Sequence, residues 1–505
     1  MKNFLKVFST LLLTASLSLL ATNEIQAAPK DTLIVAQGAD AKSLDPHATN
    51  DQPSSRVNCQ IYDRLVEQGN DLTIQGSLAE SWEQPDNLTT IFKLRKGVKF
   101  HNGEELKSSD VKFTFERMKN SPTVKHIIDS IVSVETPDDY TVVIKTEKPF
   151  GALLSHLSHT AASILNEKAV NEKGDKYGQN PVGTGPYKFV SWRSGDSITL
   201  EAFSDYFKGA PEIKNAIIRN ISENPVRAIA LETGEVQIAY DLDPIDKVRI
   251  KEDEKFVLLQ EPAYSMTYLG FNTKKAPFDN EKFRQAVAYA IDIKTIVDVV
   301  FEGAAEPANS LIGPKVFGYN PNAKFWKKDI EKSKALLKEL NLDKGFKCKI
   351  WVNDNKIRQD IAVILQGQLK EVGIELAVET IEWGAFLDGT EKGNHEMFIL
   401  GWSTVTGDAD YGLFPLLHSA NHGGAGNRAF YSNSAIDEML EKARNTVDQN
   451  ERKELYAQVQ VLSQEEIPNY PIAFVTNNAG LDANLEGFHL SAAGHHRIYG
   501  VKYKK

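Results

Sequence analysis

The sequence predicts a mixed α/β fold with more than one domain, and three observations support this prediction. Short apolar or alternating runs that are typical of strands recur along the chain of 505 residues. Amphipathic runs with helical spacing lie between them, and one succession of strand, helix and strand has the form of a βαβ unit. The length exceeds what one hydrophobic core normally supports, so two or three domains are expected.

The N-terminal stretch has the features of a secretory signal peptide. Two lysines precede an apolar run from Phe8 to about Ala21, and two alanines follow at the expected cleavage site. This run is shorter than the roughly 20 apolar residues that a membrane-spanning helix needs. No cysteine lies near the cleavage site, so a lipid anchor is not expected. We therefore expect residues 1–27 to be removed and the mature chain to be free in the periplasm.

Composition narrows the classes of partner and of covalent cross-link. The formal net charge is −10, and an acidic surface argues against nucleic acid or an anionic membrane as the partner. The chain has two cysteines, Cys59 and Cys348, so a disulfide framework is excluded. Their unrelated local contexts favour two separate small apolar residues, although one bridge between them stays open.

The first half of the chain contains three clear strand patterns. "DTLIVAQG" at residues 31–38 is a short apolar run that ends at a glycine. "YTVVIKTEKP" at 140–149 and "SITLEAF" at 197–203 alternate or are rich in β-branched residues. Each of the three runs is expected to form a strand.

The second half contains the clearest helices. "DNEKFRQAVAYAIDIKTIVDVVF" at 279–301 has the pattern of a helix that begins after Asp279 or Asn280 as its N-cap. "KKDIEKSKALLKEL" at 327–340 and "RQDIAVILQGQLKEVG" at 358–373 have similar spacing. Strand patterns follow each of these two helices, at 347–353 and 374–383, which predicts the βαβ unit.

One stretch, "GWSTVTGDADYG" at 401–412, gathers polar recognition groups without any helical or strand period. It could be a catalytic carboxylate pair, a metal loop or a ligand-binding loop. Catalysis is disfavoured because the spacing of Asp408 and Asp410 does not by itself define a shared reacting centre, and no G-x-S-x-G motif occurs. A calcium loop is disfavoured because Ser419 stands where the closing glutamate would be needed.

Other motifs have simpler structural interpretations. The histidine pairs His156 with His159 and His495 with His496 are more often packing residues than metal ligands when no further ligand completes the set. "VGTGP" at 182–186 has closely spaced glycines, but a proline follows at once, so it predicts a turn rather than a phosphate loop. Neither a metal nor another cofactor is expected.

The ligand-binding interpretation of the 401–412 stretch fits its residue types best. Trp402 can form an apolar wall, and Ser403, Thr404 and Thr406 can donate hydrogen bonds to carboxylates. The nearby segment "GGAGNRAFYSN" at 423–433 adds an arginine fork for a carboxylate, Arg428. The alternative, that the aromatic residues are core and the aspartates cap a helix beginning near residue 411, stays open.

Five motifs occur together in an order that resembles a known family. They are "SLAESWEQPDNLTTIFKLRKGVKFHNGEELKSSDVKFTFER" (77–117), "NPVGTGPYKFVSW" (180–192), "ETGEVQIAY" (232–240), "PFDNEKFRQAVAYAID" (277–292) and the stretch at 401–412. By these motifs the chain is similar to the family 5 bacterial extracellular solute-binding proteins, which serve peptide and nickel ABC importers. The resemblance extends over nearly the whole mature chain.

The resemblance implies a periplasmic-binding-protein-like α/β fold with two α/β lobes around a hinged cleft and a small inserted domain. The expected first lobe is discontinuous and comprises residues 28–48, 184–275 and 475–505. The expected inserted domain spans 49–183, and the expected second lobe spans 276–474. The implied activity is ligand capture by lobe closure without catalysis, followed by delivery to a membrane permease pair, with the binding protein expected to be a monomer.

The resemblance also bears on the ligand. Dipeptide and oligopeptide binders of the family carry an aspartate three residues after the loop tryptophan, which pairs with the peptide's α-ammonium, whereas this chain has Val405 there. An unpaired ammonium in a closed cleft is costly, so ordinary α-peptides are disfavoured. The loop pattern is more similar to that of the glutathione-binding subgroup, and Asp408 or Asp410 could take the ammonium of that ligand.

The expected site combines this loop with residues from other segments. Its members are Ser54, Arg56, Tyr264, Met266, Asn353, Arg358, Trp383, Trp402, Ser403, Thr404, Thr406, Asp408, Asp410, Arg428 and Tyr431. Glutathione or a related small peptide is the expected ligand. The alternatives are a dipeptide or oligopeptide, haem or a nickel chelate within the same family, and an exported peptide hydrolase from a different class.

Overall fold

The computed structural model describes residues 31–69, 73–424 and 426–504. The predicted signal peptide, residues 1–27, lies outside these described residues. None of the described helices has both the length and the apolar content that a bilayer span requires.

Strands occur along the whole described chain. They are β1 (Thr32–Gln37), β2 (Val66–Gln68), β3 (Ile74–Gly76), β4 (Ala79–Asp86), β5 (Thr89–Leu94), β6 (Ile131–Asp138), β7 (Thr141–Thr146), β8 (Tyr187–Arg193), β9 (Ser197–Ala202), β10 (Asn215–Asn220), β11 (Ile238–Tyr240), β12 (Phe256–Phe271), β13 (Ala305–Pro307), β14 (Phe346–Asn353), β15 (Ile374–Ile381), β16 (Met397–Ser403), β17 (Asn469–Asp482), β18 (Leu485–Glu486) and β19 (Lys502–Tyr503).

The α-helices alternate with these strands, as the mixed α/β prediction requires. They are α1 (Gln52–Ile61), α2 (Ser108–Lys119), α3 (Leu153–Leu157), α4 (Glu167–Lys173), α5 (Asn224–Glu232), α6 (Pro244–Glu252), α7 (Glu281–Ala290), α8 (Ile293–Phe301), α9 (Ile330–Glu339), α10 (Lys356–Lys370), α11 (Trp383–Glu391), α12 (Ala409–Leu417), α13 (Ser434–Arg444) and α14 (Gln449–Glu466).

One large sheet connects the two main parts of the molecule. Its strand order is β15, β14, β16, β12, β17, β11, β1, β10, β9 and β8, and β13 pairs with β17. We call the part around β1 and β8–β11 lobe I, and the part around β14–β16 lobe II. The long antiparallel strands β12 and β17 lie between them and belong to both.

The pairing of β12 with β17 is interrupted where the lobes meet. The register of the two strands shifts between Pro262 and Met266, and from Ser265 onward β12 also pairs with β16. Such an irregularity bends and twists a strand locally. By this reasoning the sheet bends within β12 near the register shift, and β12 and β17 connect the two lobes.

The segment expected to form an inserted domain, residues 49–183, has a sheet of its own. Its antiparallel strand order is β4, β5, β7 and β6, and its core includes Phe92 and Phe115. Helix α1 belongs to the same segment but packs elsewhere: Val57 and Ile61 are buried with Leu33 in the core of lobe I. The beginning of this segment is therefore part of the wall of lobe I.

The local sequence patterns predict most of these elements. Strands β1, β7 and β9 lie within the predicted ranges, and β14, α10 and β15 form the predicted βαβ unit with parallel strands. The predicted helix at 279–301 is two helices, because the backbone is extended at Ile291 and the Asp292 side chain accepts a hydrogen bond from the Thr295 amide to cap α8. Cys59 and Cys348 are both buried and unbonded, which confirms the favoured interpretation.

The glycine-rich turn at 182–186 is a packing feature. A Cβ added at Gly185 would lie 2.5 Å from the Ile61 carbonyl carbon, so only glycine fits against the end of α1 there. The Gly185 amide donates to the Ile61 carbonyl oxygen at 2.8 Å. This close approach fixes the position of α1, which contributes side chains to the site described below.

Buried histidines give the fold a predictable pH dependence. Burial lowers the pKa of His47, His126, His395 and His495 to about 3 and that of His101 to about 4. Below pH 6.5 the unfolded chain binds protons that the folded chain excludes, so this contribution to stability is full above that pH and is lost as the pH falls toward about 3. Each such histidine lowers the free energy of unfolding by up to about 1.4 kcal/mol per pH unit.

We therefore expect urea denaturation at about pH 5 to give a markedly lower midpoint than at about pH 7.5. A midpoint that rises on acidification would contradict the neutral state assigned to the buried imidazoles.

Candidate functional site

A cavity of about 340 Å³ lies between lobe I and lobe II. Its walls come from residues 38–56 and 222–247 of lobe I, from residues 353–428 of lobe II, and from the middle of β12 and β17. This volume is in the range of small-molecule binding sites, and the cavity lies at the junction of two lobes, where such sites are common.

The stretch that the sequence singled out begins in the wall of this cavity. Trp402 and Ser403 end β16 and line the cavity, and the Trp402 Nε1 donates to the Tyr411 carbonyl oxygen at 3.1 Å. A Cβ added at Gly401 would lie in ordinary contact with the Arg358 Nη2, at 3.5 Å, so the guanidinium lies directly over this end of the strand. The strand end and the guanidinium thus form one continuous wall.

Arg358 is positioned by residues at the start of α10. Its Nη1 donates to the Asn353 Oδ1 at 2.9 Å, and the guanidinium carbon lies 5.5 Å from the centre of the Trp383 ring. Burial lowers the pKa of Arg358 to about 10. In the described part of the chain no carboxylate lies within ion-pairing distance of this guanidinium, so most of its donors remain available to a ligand in the cavity.

Arg428 supplies a second cation in the same wall. Its Nη1 donates to the Leu387 carbonyl oxygen at 2.7 Å and to the Thr390 hydroxyl, while its Nε has no partner among the described atoms. The Trp383 Nε1 is a further buried donor that has no partner among the described atoms. Neither of these two atoms has solvent-accessible surface, so Arg428 acts on the cavity through its charge, and the open guanidinium donors of this wall belong to Arg358.

Lobe I contributes an arginine that is already paired. The Arg56 Nη1 lies 2.7 Å from the Asp241 Oδ2, and Arg56 also donates to the Gly494 carbonyl oxygen at 3.0 Å. Burial alone would raise the pKa of Asp241, but Arg56 reverses this and lowers it. Ser54 is buried behind the wall, where its hydroxyl donates to Asp51 and accepts from the Lys42 amide.

The two aspartates of the loop lie outside this cavity and are engaged by arginines. Asp408 receives the Arg452 Nη2 at 2.7 Å and caps α12 by accepting from the Asp410 amide at 2.9 Å. Asp410 is fully buried and receives the Arg444 Nε at 3.1 Å. Burial would raise the pKa of Asp410, but Arg444 outweighs it and holds the pKa well below its usual range. The helix-cap interpretation therefore holds for Asp408, whereas Asp410 lies in the first turn of α12 and is ion-paired with Arg444.

Four other expected site residues also do not line the cavity. Thr404 is buried beside Gly412, and the Thr406 hydroxyl accepts from the Asp408 amide at 3.3 Å. Tyr264 is buried on the other side of the loop, and the Tyr431 hydroxyl donates to the Glu466 carboxylate at 2.7 Å. Their polar groups shape the loop or the core and do not face the space between the lobes.

The cavity thus brings together eight of the expected residues. They are Arg56, Met266, Asn353, Arg358, Trp383, Trp402, Ser403 and Arg428. Val405, which stands at the position of the peptide binders' aspartate, also lines the cavity. The sequence did not indicate the charged residues Lys42, Asp51, Arg227, Asp241, Lys247 and Glu391, because they come from separate segments with no shared motif.

The cavity has an excess of positive charge. Among the described residues that line it, six carry a cationic side chain and three carry a carboxylate. Four of the six cations, Arg227, Lys247, Arg358 and Arg428, have no carboxylate within 4.0 Å in the described chain. Such a cavity attracts anions and disfavours cations.

Three of the four histidines in these pairs, His156, His159 and His496, are buried, whereas His495 is half-buried and lines the cavity. His159 Nε2 lies 2.8 Å from the Tyr411 hydroxyl, and the Thr160 hydroxyl lies 2.9 Å from the His495 Nδ1. Within the described ranges, no three histidine, cysteine or carboxylate side chains are grouped as metal ligands would be.

Comparison with known proteins places this geometry in a family context. The family described as bacterial extracellular solute-binding proteins, family 5 Middle, matches residues 73–424. The glutathione-binding protein GsiB of Pectobacterium atrosepticum is 35% identical over 446 residues, which is 86% of each chain.

Two solved structures have the same fold. The periplasmic binding protein DppA of Helicobacter pylori in complex with the peptide STSA aligns with a TM-score of 0.89 at 30% identity, covering 94% of this chain and 98% of that one. A dipeptide-binding protein of Pseudoalteromonas in complex with Met-Leu aligns with a TM-score of 0.90 at 27% identity, covering 94% and 100%.

Proposed function

The chain belongs to the family 5 bacterial extracellular solute-binding proteins, and from this premise we propose that it captures glutathione or a closely related anionic peptide in the periplasm. The observation that carries the proposal is the excess of cations without carboxylate partners in the cavity between the lobes. Glutathione has two carboxylates and a net negative charge, and its γ-linkage moves the ammonium away from the peptide chain.

The carboxylate anchor of this proposal is the wall of lobe II. Arg358 offers guanidinium donors, and the charge of Arg428 and the ring of Trp383 lie in the same wall. Planar guanidinium groups bind carboxylates through paired, charge-assisted hydrogen bonds. A ligand carboxylate placed there would satisfy donors that have no other partner.

The ammonium of the ligand requires a different partner from the one that the sequence suggested. Asp408 and Asp410 are engaged by Arg452 and Arg444, so we do not carry that assignment forward. The carboxylates that line the cavity are Asp51, Asp241 and Glu391. Val405 offers no charge, which supports a ligand other than an α-dipeptide bound in the manner of the peptide binders.

The proposed mechanism is capture without catalysis. Ligand contacts from both lobes stabilise a closed arrangement about the bend in β12 and β17, as a population shift requires. The Lys42 Nζ, in lobe I, already lies 2.5 Å from the Asp388 Oδ1, in lobe II, at the edge of the cleft. A monomer closed in this way would dock on the permease pair of an ABC importer in the inner membrane.

Thermal unfolding of the mature chain with a ligand panel tests the proposal. Reduced or oxidised glutathione at about 100 times its dissociation constant is expected to stabilise the protein by about 2.7 kcal/mol. Dipeptides, a nickel–histidine chelate and haem are expected to give smaller shifts. The variant Arg358→Ala serves as the control and is expected to respond weakly to glutathione.

Other outcomes of this panel would overturn parts of the proposal. A shift with dipeptides or nickel chelates alone would change the ligand and leave the family unaffected. Sustained turnover of a peptide panel would establish the hydrolase alternative and replace capture by catalysis.

A further inference from the structure

Lys247 is a cation of the cavity whose ammonium has no partner. It lies in the first turn of α6 in lobe I and is 8% exposed. Within the described chain its Nζ makes no hydrogen bond and no ion pair, although it lines the cavity. Burial lowers the pKa of Lys247, while Asp243 and Glu302 act weakly in the opposite direction. An ammonium withdrawn from water without a counter-charge is unfavourable.

The other cations of lobe I in the cavity are already engaged. Arg56 is paired with Asp241, and Lys42 is paired with Asp388. Arg227 donates to the Tyr240 carbonyl oxygen at 3.0 Å and to further backbone oxygens of the loops at 221–222 and at 241. Arg227 thus holds two loops together, which leaves Lys247 as the lobe I cation with free hydrogen-bonding capacity among the described residues.

Lys247 and the guanidinium pair lie on opposite walls. Lys247 belongs to α6 of lobe I and lines the cavity together with Pro244 of the same helix. Arg358 and Arg428 lie on the lobe II wall, beside Trp383 and the end of α11. A ligand that carries two separate anionic groups could pair with Lys247 on one wall and with the two arginines on the other.

We propose that Lys247 binds a second carboxylate of the ligand, so that the site selects peptides with two carboxylates over peptides with one. The inference rests on the proposed function and extends it from an anionic ligand to a dicarboxylic one, such as a γ-glutamyl peptide. A ligand held by cations of both lobes gains its full set of contacts only when the lobes are together, so the second carboxylate also favours closure.

Isothermal titration with three ligands tests the role of Lys247. The ligands are glutathione, its glycine amide and its γ-glutamyl α-amide, each amide lacking one carboxylate. The wild-type protein is expected to bind each amide at least about tenfold more weakly than glutathione, since a hydrogen bond to a charged group contributes that much. Lys247→Met is expected to bind glutathione about 10- to 100-fold more weakly than wild type.

For one of the two amides, the loss of affinity caused by amidation and the loss caused by Lys247→Met should not add. Lys247→Met is expected to bind that amide as tightly as it binds glutathione, because the missing carboxylate and the missing ammonium belong to one contact. Lys251→Met, on the exposed side of the same helix, is the matched control and should bind all three ligands as wild type does. Urea denaturation of ligand-free Lys247→Met should give a midpoint equal to or above that of wild type, which verifies folding.

The possible failures are distinguishable. If wild type does not bind glutathione, the proposed function fails, and this inference fails with it. If wild type binds glutathione and Lys247→Met binds it equally well, or if both amides keep their full penalty in Lys247→Met, the inference alone is overturned.

Discussion

Replacing Asp408 by alanine is expected to lower the free energy of unfolding by about 3–5 kcal/mol, because it leaves a buried arginine without its counter-charge. Arg452 is 1% exposed, and its two terminal nitrogens donate to the Asp408 oxygens at 2.7 and 3.0 Å. The same carboxylate caps α12. We expect glutathione affinity, measured in the fraction that folds, to change by less than about threefold, which is under about 1 kcal/mol.

Urea denaturation followed by titration measures both quantities. Asp343→Ala is the control for loss of an exposed carboxylate and is expected to cost less than about 1 kcal/mol. The double variant Asp408→Ala/Arg452→Met is expected to recover part of the lost stability, because the unpaired charge is then absent. Normal stability with abolished glutathione binding in Asp408→Ala would instead support the ammonium-binding role that the sequence suggested.

The different positions of the first residues of the 401–412 loop and of its two aspartates show the limit of what the sequence pattern can predict. A short run of aspartates, hydroxyls and glycines has the composition of a ligand-binding loop, and its first part, Trp402 and Ser403, does line the cavity. The arginines that engage Asp408 and Asp410 lie 44 and 34 residues further along the chain. Side-chain pairing over such separations depends on tertiary packing, for which a single sequence carries no pattern.

The secondary structure could be predicted more completely than the site, because helices and strands depend on local properties of the sequence. The βαβ unit of β14, α10 and β15 depends on hydrophobic period and on helix caps, which are local properties. The break between α7 and α8 is an exception. The helical spacing of apolar residues continues across Ile291 and Asp292, but the helical backbone ends at Ala290 and begins again at Ile293. Asp292 is a good N-cap residue, and that preference was the signal available in the sequence.

The cavity residues that the sequence did not indicate share one property. Lys42, Arg227, Asp241 and Lys247 belong to loops and helix starts of lobe I that meet only when β1, β10 and β11 pair in the sheet. Each is unremarkable in its own segment, where a charged residue is normally a solvated one. Their place in the cavity wall follows from tertiary packing, which the sequence around them does not display.

Arg358→Ala is expected to have the largest effect on binding, a loss of about 30- to 1,000-fold in glutathione affinity. Truncating one member of a desolvated charge pair removes about 2–4 kcal/mol, because the ligand carboxylate is left without its partner. The free energy of unfolding of the ligand-free protein is expected to stay constant or to rise. The guanidinium has no carboxylate partner in the described chain before ligand binds, so its removal relieves desolvation.

The decisive feature of the Arg358→Ala experiment is that glutathione affinity is expected to fall while the free energy of unfolding stays constant or rises. A residue that serves the fold loses stability when it is truncated, as expected for Asp408, whereas a residue poised for a ligand loses affinity and keeps stability. Titration and urea denaturation of Arg358→Ala, with the exposed Arg193→Ala as the matched surface control, separate the two cases. A fall of about 3 kcal/mol or more in the stability of ligand-free Arg358→Ala would show that the cavity wall needs this cation for packing. Unchanged stability with weakened binding would show that the ligand itself supplies the counter-charge that the chain omits.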